Sequence, residues 1–63
     1  MKHLTKKDQN TIQYALYKLE QHFVDCAERY ESKGEHQNAL DAWESWKDVG
    51  ELRTRLYKLF ETS

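Results

Sequence analysis

Gly34 divides a stretch of the chain in which apolar and small residues recur at helical spacing, from Phe23 to Trp46. Proline is absent and Gly50 is the only other glycine, so the backbone offers few places for a helix to stop. Glycine readily adopts the left-handed conformation that ends many helices. The pattern therefore predicts an all-helical chain in which two helices fold back on each other at Gly34.

The first helix is predicted to span about residues 6–33. Thr5 and Asp8 have the spacing of a capping box, which places the start of the helix directly after Thr5. Ala15 and Ala27 would let a second helix approach closely. The apolar stripe that faces this second helix recurs in steps of four and three, and its members are Ile12, Leu16, Leu19, Phe23, Cys26 and Tyr30.

The second helix is predicted to start near His36 or Gln37 and to reach about residue 49, antiparallel to the first because the link is short. Its inward stripe consists of Ala39, Leu40 and Trp43. The later apolar residues of this helix point about 150° away from that stripe, if the helix is continuous. These residues are Val49, Leu52, Leu56 and Leu59. Either the helix breaks or kinks at Gly50, giving a third helix over about 51–61, or it continues and uses two faces. The cost of about 1 kcal/mol for a glycine inside a helix favours the break.

Between residues 20 and 52, large, small and aromatic residues alternate in a defined order on the two predicted helices. On the first helix these are Phe23, Cys26, Ala27 and Tyr30, and on the second Ala39 and Trp43. This segment resembles a single tetratricopeptide repeat, although Trp46 and Glu51 stand where a small residue and a proline are usual. The resemblance implies a helical hairpin. It does not imply peptide binding, because a binding groove needs about three stacked repeats.

A chain of 63 residues forms one domain, spanning 1–63, with a thin core. Small scaffolds usually need a disulfide, a metal or a partner subunit, and the single Cys26 cannot form an internal disulfide. A homodimer with a four-helix core is therefore expected. The sequence has no apolar run that could cross a bilayer and no secretory signal, which favours a cytoplasmic protein.

Charge is separated along the chain. Residues 1–19 carry a net charge of +3, residues 20–48 carry −5 and residues 49–63 carry +1. A hairpin would place the basic segments at one end and the acidic turn at the other. These charges either form an ordinary solvated surface or favour head-to-tail antiparallel pairing of two hairpins.

Catalytic chemistry finds little support in the sequence. His22 and Cys26 lie one helical turn apart and could share a metal ion, but two ligands are too few, and a buried thiol is the simpler interpretation of Cys26. The chain has no glycine-rich phosphate loop and no nucleophile with a convincing base. We therefore predict no enzyme activity, no cofactor and no metal site.

Two surfaces are candidates for binding. Aromatic residues outside the predicted stripe either complete the core or contact a partner protein; they are Tyr14, Tyr17, Trp46 and Tyr57. Basic residues at the open end of the hairpin could bind phosphate; they are Lys2, Lys6, Lys7, Arg53, Arg55 and Lys58.

The sequence thus favours a protein–protein interaction module that acts stoichiometrically as a small inhibitor, adaptor or regulatory subunit. A phage- or plasmid-encoded inhibitor of a host or defence protein is one plausible setting. The alternative is a small nucleic-acid-binding regulator that uses the basic end.

Overall fold

The computed structural model describes residues 4–62, which form two long α-helices. Helix α1 spans Lys6–Ser32 and helix α2 spans His36–Thr62. The two helices pack along their lengths as an antiparallel hairpin with extents of 46 × 16 × 16 Å. The prediction of an all-helical hairpin that reverses at Gly34 is confirmed, and no strand occurs in the described part of the chain.

The start of α1 is fixed by the capping box. The Asp8 backbone N–H donates to the Thr5 hydroxyl at 3.0 Å, and the Thr5 backbone N–H donates to the Asp8 carboxylate at 3.2 Å. These reciprocal bonds give partners to amides that the first helical turn leaves unpaired. The cap that the sequence predicts is therefore present.

The turn between the helices depends on Gly34, which has a φ of 77°. Its N–H donates to the carbonyl of Glu31 at 3.0 Å, and the N–H of Glu35 donates to the carbonyl of Tyr30 at 2.8 Å. These bonds satisfy two of the last carbonyls of α1, those of Tyr30 and Glu31. Helix α2 then begins at His36, as the sequence predicts.

Helix α2 continues through Gly50 without interruption, so the predicted third helix over 51–61 is wrong. Of the two alternatives, the continuous helix is the one observed. Gly50 is half-buried against α1, and a β-carbon there would lie 3.6 Å from the Glu20 carboxylate. The helix tolerates this glycine because contacts with α1 hold both flanking segments in place.

Each helix contributes a seam of residues whose spacing alternates between three and four. On α1 the seam is Gln9, Gln13, Leu16, Glu20, Phe23, Ala27 and Tyr30. On α2 it is Ala39, Ala42, Trp46, Val49, Arg53, Leu56 and Phe60. All of these residues are buried or half-buried except Trp46, which is 40% exposed. The seam contains polar residues near the middle and at the open end, and only small or apolar ones near the turn, apart from Tyr30.

Among the described residues, the buried core consists of three alanines near the turn. Ala27, Ala39 and Ala42 are 0%, 2% and 7% exposed, and their small side chains permit close approach of the helices there. The predicted inward stripe of α2 is partly wrong, because Leu40 is 61% exposed. The predicted stripe of α1 is rotated from the real seam, which leaves Leu19 39% exposed. The seam includes polar residues, and a search for apolar residues at helical spacing does not find them; they are Gln9, Gln13, Glu20 and Arg53.

Candidate interaction surfaces

A polar cluster crosses the seam near the middle of the rod. Arg53 of α2 forms a salt bridge with Glu20 of α1, and their side chains are 33% and 13% exposed. The Arg53 Nε–H donates to the side-chain oxygen of Gln13 at 3.4 Å, and Gln13 donates to the backbone carbonyl of Arg53 at 3.3 Å. The guanidinium also lies 5.5 Å from the ring centre of Tyr17. The seam neighbours of Glu20 are Leu16 and Phe23, and those of Arg53 are Val49 and Leu56. A shift of one turn would therefore leave both charges without a partner, so the salt bridge favours a single register.

One side of the hairpin, which we name the aromatic side, is defined by residues spaced seven apart on each helix. Its rows are Asn10, Tyr17, Val24 and Glu31 on α1, and Trp43, Gly50 and Tyr57 on α2. The Trp43 indole N–H donates to the Glu31 carboxylate at 3.0 Å. Farther along, Asn10 and Tyr57 line the same cleft. These two contacts place both rows on one side of the rod.

Three of the four predicted contact aromatics belong to or lean toward the aromatic side. Tyr17 is 43% exposed and Tyr57 is 61% exposed. Trp46 belongs to the seam, but its ring lies toward the aromatic side. It packs edge-to-face against Trp43 with 5.7 Å between the ring centres, and it lines a groove with Gly50. Tyr14, which is 60% exposed, lies farther out on α1 beneath the Lys18 ammonium. Tyr17, Trp46 and Tyr57 thus lie on or next to the aromatic side, and Tyr14 lies one helical turn from Tyr17 outside its row.

The opposite side, which we name the aliphatic side, was not singled out by the sequence reasoning. Its rows are Ile12, Leu19 and Cys26 on α1, and Asn38, Ser45, Leu52 and Leu59 on α2. Cys26 and Ser45 line one cleft of about 360 Å³ near the turn, which places both rows on the same side. Leu19, Leu52 and Leu59 are 39%, 38% and 60% exposed. The sequence does contain a signal for this side, because Leu52 and Leu59 are spaced seven residues apart, as are Ile12 and Leu19.

The His22 imidazole and the Cys26 thiol are brought together, with 3.5 Å between Nε2 and Sγ. They line the cleft near the turn with Asp41. Within residues 4–62, however, no three side chains of His, Cys, Asp or Glu lie close enough to hold a metal ion. The geometry therefore provides a pair of ligands and no complete metal site.

The predicted phosphate-binding residues do not form one patch. Arg53 is engaged with Glu20 in the seam. Lys6 lies across a cleft from Tyr57 on the aromatic side. Arg55 belongs to the α2 row of Asp41 and Asp48, and it lines the groove of Trp46 and Gly50. Lys7 and Lys58 are exposed, and Lys2 lies outside the described residues.

No protein-family model, curated protein or solved structure matches the chain. The similarity to a tetratricopeptide repeat therefore remains one of residue types in a hairpin. Among the described residues, neither helix has a segment that is long and apolar enough to cross a membrane.

Proposed function

We propose that this chain is a non-catalytic interaction module that binds another protein through its aromatic side. The proposal rests on one observation. Tyr17, Trp46 and Tyr57 lie along the same side of the hairpin, and they are 40–61% exposed. Tyrosine and tryptophan combine apolar area with a hydrogen-bonding group, and they are enriched among residues that dominate binding energy.

The two helices hold this side in a defined shape. Tyr17 lies against the guanidinium of Arg53, which is itself fixed by Glu20. Trp43 is anchored by its bond to Glu31 and supports the ring of Trp46. Side chains that are ordered before binding lose less conformational freedom on association, which favours affinity. An aromatic side positioned by these contacts suits an inhibitor, adaptor or regulatory subunit that acts in one-to-one proportion with its target.

Affinity capture from the cells that express the chain tests the proposal. Tagged wild-type protein should retain a partner, and Tyr17→Ala and Trp46→Ala should each reduce its recovery by at least tenfold, as expected for central aromatic contacts. Leu40→Ala is the matched control, because Leu40 is 61% exposed and lies outside both rows. A partner retained equally by wild type, Tyr17→Ala and Trp46→Ala would contradict the proposal.

A second candidate function is nucleic-acid binding at the open end. It is favoured by one observation, namely that Lys6 of α1 and Tyr57 of α2 line the same cleft, with Lys58 beside the ring on the neighbouring one. Bases stack on exposed aromatics while lysines contact phosphate. A fluorescence titration with a single-stranded oligonucleotide would show affinity that falls steeply with salt, whereas an aromatic protein interface would respond little.

A further inference from the structure

We infer that the aliphatic side is the interface for a second copy of this chain, packed antiparallel to the first. The inference concerns the side of the rod opposite the proposed partner-binding surface and does not depend on it. Ile12, Leu19, Leu52 and Leu59 form two parallel rows along this side. Two such hairpins stacked through these rows would make a four-helix bundle.

A twofold axis beside Leu19 and Leu52 gives the arrangement. Leu19 lies near the middle of α1. Leu52 lies at nearly the same height on α2, because the residues that follow them, Glu20 and Arg53, form a salt bridge with each other. In an antiparallel pair each α1 faces the α1 of the second copy, and each α2 faces the other α2. Leu19 then meets Leu19 of the second copy, and Leu52 meets Leu52 of the second copy.

Large side chains meet small ones on both sides of this axis. Ile12 precedes Leu19 by seven residues and Cys26 follows it by seven, so Ile12 faces Cys26 of the second copy. By the same spacing Leu59 faces Ser45 of the second copy. The cleft of about 360 Å³ that Cys26 and Ser45 line would thus receive two branched side chains. Filling it improves packing, because interiors tolerate few voids.

Charged residues line both edges, or rims, of the aliphatic side. The same twofold axis would set acidic ones opposite basic ones of the second copy. Asp8 and Arg29 belong to the α1 row of His22, and Asp48 and Arg55 belong to the α2 row of Asp41. His22 and Asp41 both line the cleft on this side, which places the two rows along its edges. Arg55 also lines the groove of Trp46 and Gly50, so the pairing requires its long side chain to turn toward the rim. Within residues 4–62 the structure shows a salt bridge only between Arg53 and Glu20, so these rim charges form none within the hairpin.

Their spacing fits the axis that the leucines define. Asp8 lies eleven residues before Leu19 and Arg29 lies ten after it, which brings Asp8 opposite Arg29 of the second copy. Asp48 lies four before Leu52 and Arg55 three after it, which brings Asp48 opposite Arg55 of the second copy. Each pairing occurs twice in a symmetric dimer.

A parallel pair would lose these advantages. It would place the two acidic segments, 20–48, side by side, each with a net charge of −5, and like charges repel. It would also set Ile12 against Leu59 at one end and Cys26 against Ser45 at the other, which leaves the small-residue cleft unfilled. The antiparallel pair sets each acidic segment against the basic open end of the other copy.

Sedimentation equilibrium across a concentration series tests whether the dimer exists. Wild type should dimerise, and Leu19→Lys should raise the dissociation constant at least a hundredfold, because it places two ammonium groups at the axis. Leu40→Lys is the matched control and should dimerise like wild type. Circular dichroism verifies that each variant remains helical, and Leu52→Lys provides a second variant at the axis if Leu19→Lys unfolds. A monomer at millimolar concentration, or dimerisation unaffected at Leu19 and Leu52, would overturn the inference.

Cysteine cross-linking tests the orientation. In a Cys26→Ala background, Leu19→Cys should give a disulfide-linked dimer on mild oxidation, and Leu40→Cys should not. Cross-linking that requires a mixture of Leu19→Cys and Leu52→Cys chains would instead show a parallel pair and overturn the antiparallel one.

A charge exchange tests the rim. Asp48→Arg should raise the dissociation constant about tenfold, because two attractions become two repulsions. Adding Arg55→Asp to the same chain should restore wild-type affinity. Asp25→Arg, an exposed position in the outer row of Lys18, makes the same change in net charge and should have little effect. Equal weakening by Asp48→Arg and Asp25→Arg, with no restoration, would contradict the pairing.

Discussion

A β-carbon at Gly50 would lie 3.6 Å from the carboxylate of Glu20, which is an ordinary van der Waals distance. The glycine is therefore not required for space. It also lies within the continuous helix α2, where its extra backbone freedom in the unfolded chain is unfavourable for folding.

Gly50→Ala should consequently raise the free energy of unfolding by about 0.5–1 kcal/mol, since alanine is the better helix former. Urea denaturation followed by circular dichroism measures the change. The test also bears on continuity, because a helix that broke at Gly50 would be weakened by alanine. A loss of stability would therefore contradict an unbroken α2.

The salt bridge between Glu20 and Arg53 lies within the seam between the helices. Glu20→Gln should lower the free energy of unfolding by about 1–2 kcal/mol, because a half-buried guanidinium loses a charged hydrogen-bond partner. Thermal unfolding at several salt concentrations measures the loss.

Replacing both residues should have a different result. The double variant Glu20→Leu with Arg53→Leu should be at least as stable as wild type, because an apolar pair avoids the cost of desolvating two charges. A double variant much less stable than Glu20→Gln would show that the ion pair itself contributes net stability.

Close packing near the turn depends on small side chains. Ala27 is 0% exposed, so Ala27→Leu should destabilise the hairpin by about 1–3 kcal/mol through overpacking. Gln21→Leu, at an exposed position of the same helix, is the control for adding a leucine. Denaturant melts of both variants compare the effects, and equal stabilities would indicate that the helices near Ala27 are loosely packed.

The turn itself requires a left-handed residue. Gly34→Ala should lower the free energy of unfolding by about 1–2 kcal/mol, because φ at this position is 77° and an L-residue is strained there. Space is available, since nothing lies within 4 Å of the added methyl group. The loss would thus measure backbone strain alone, and an unchanged stability would mean that the turn can rearrange.

Local signals in the sequence predicted where the helices begin and where the chain reverses. Thr5 and Asp8 form the capping box because their spacing suffices for reciprocal bonds. Gly34 ends α1 because few other residues adopt its backbone conformation at low cost. These features depend on a few neighbouring residues, so one sequence contains the information. Tyr14, Tyr17 and Tyr57 were predicted to lie outside the apolar stripe and are exposed, whereas Trp46, predicted with them, belongs to the seam and is 40% exposed.

The rotation of each helix about its own axis was decided only by tertiary structure. Glu20 and Arg53 occupy seam positions because each satisfies the other across the interface, and an apolar pattern counts both as exposed. Their presence in the seam turns Leu19 and Leu52 outward and creates the aliphatic side. Continuity through Gly50 was decided in the same way, because contacts with α1 outweigh a local cost of about 1 kcal/mol. Local sequence thus determined the helices and their reversal, whereas pairing between distant polar groups decided which faces the protein exposes.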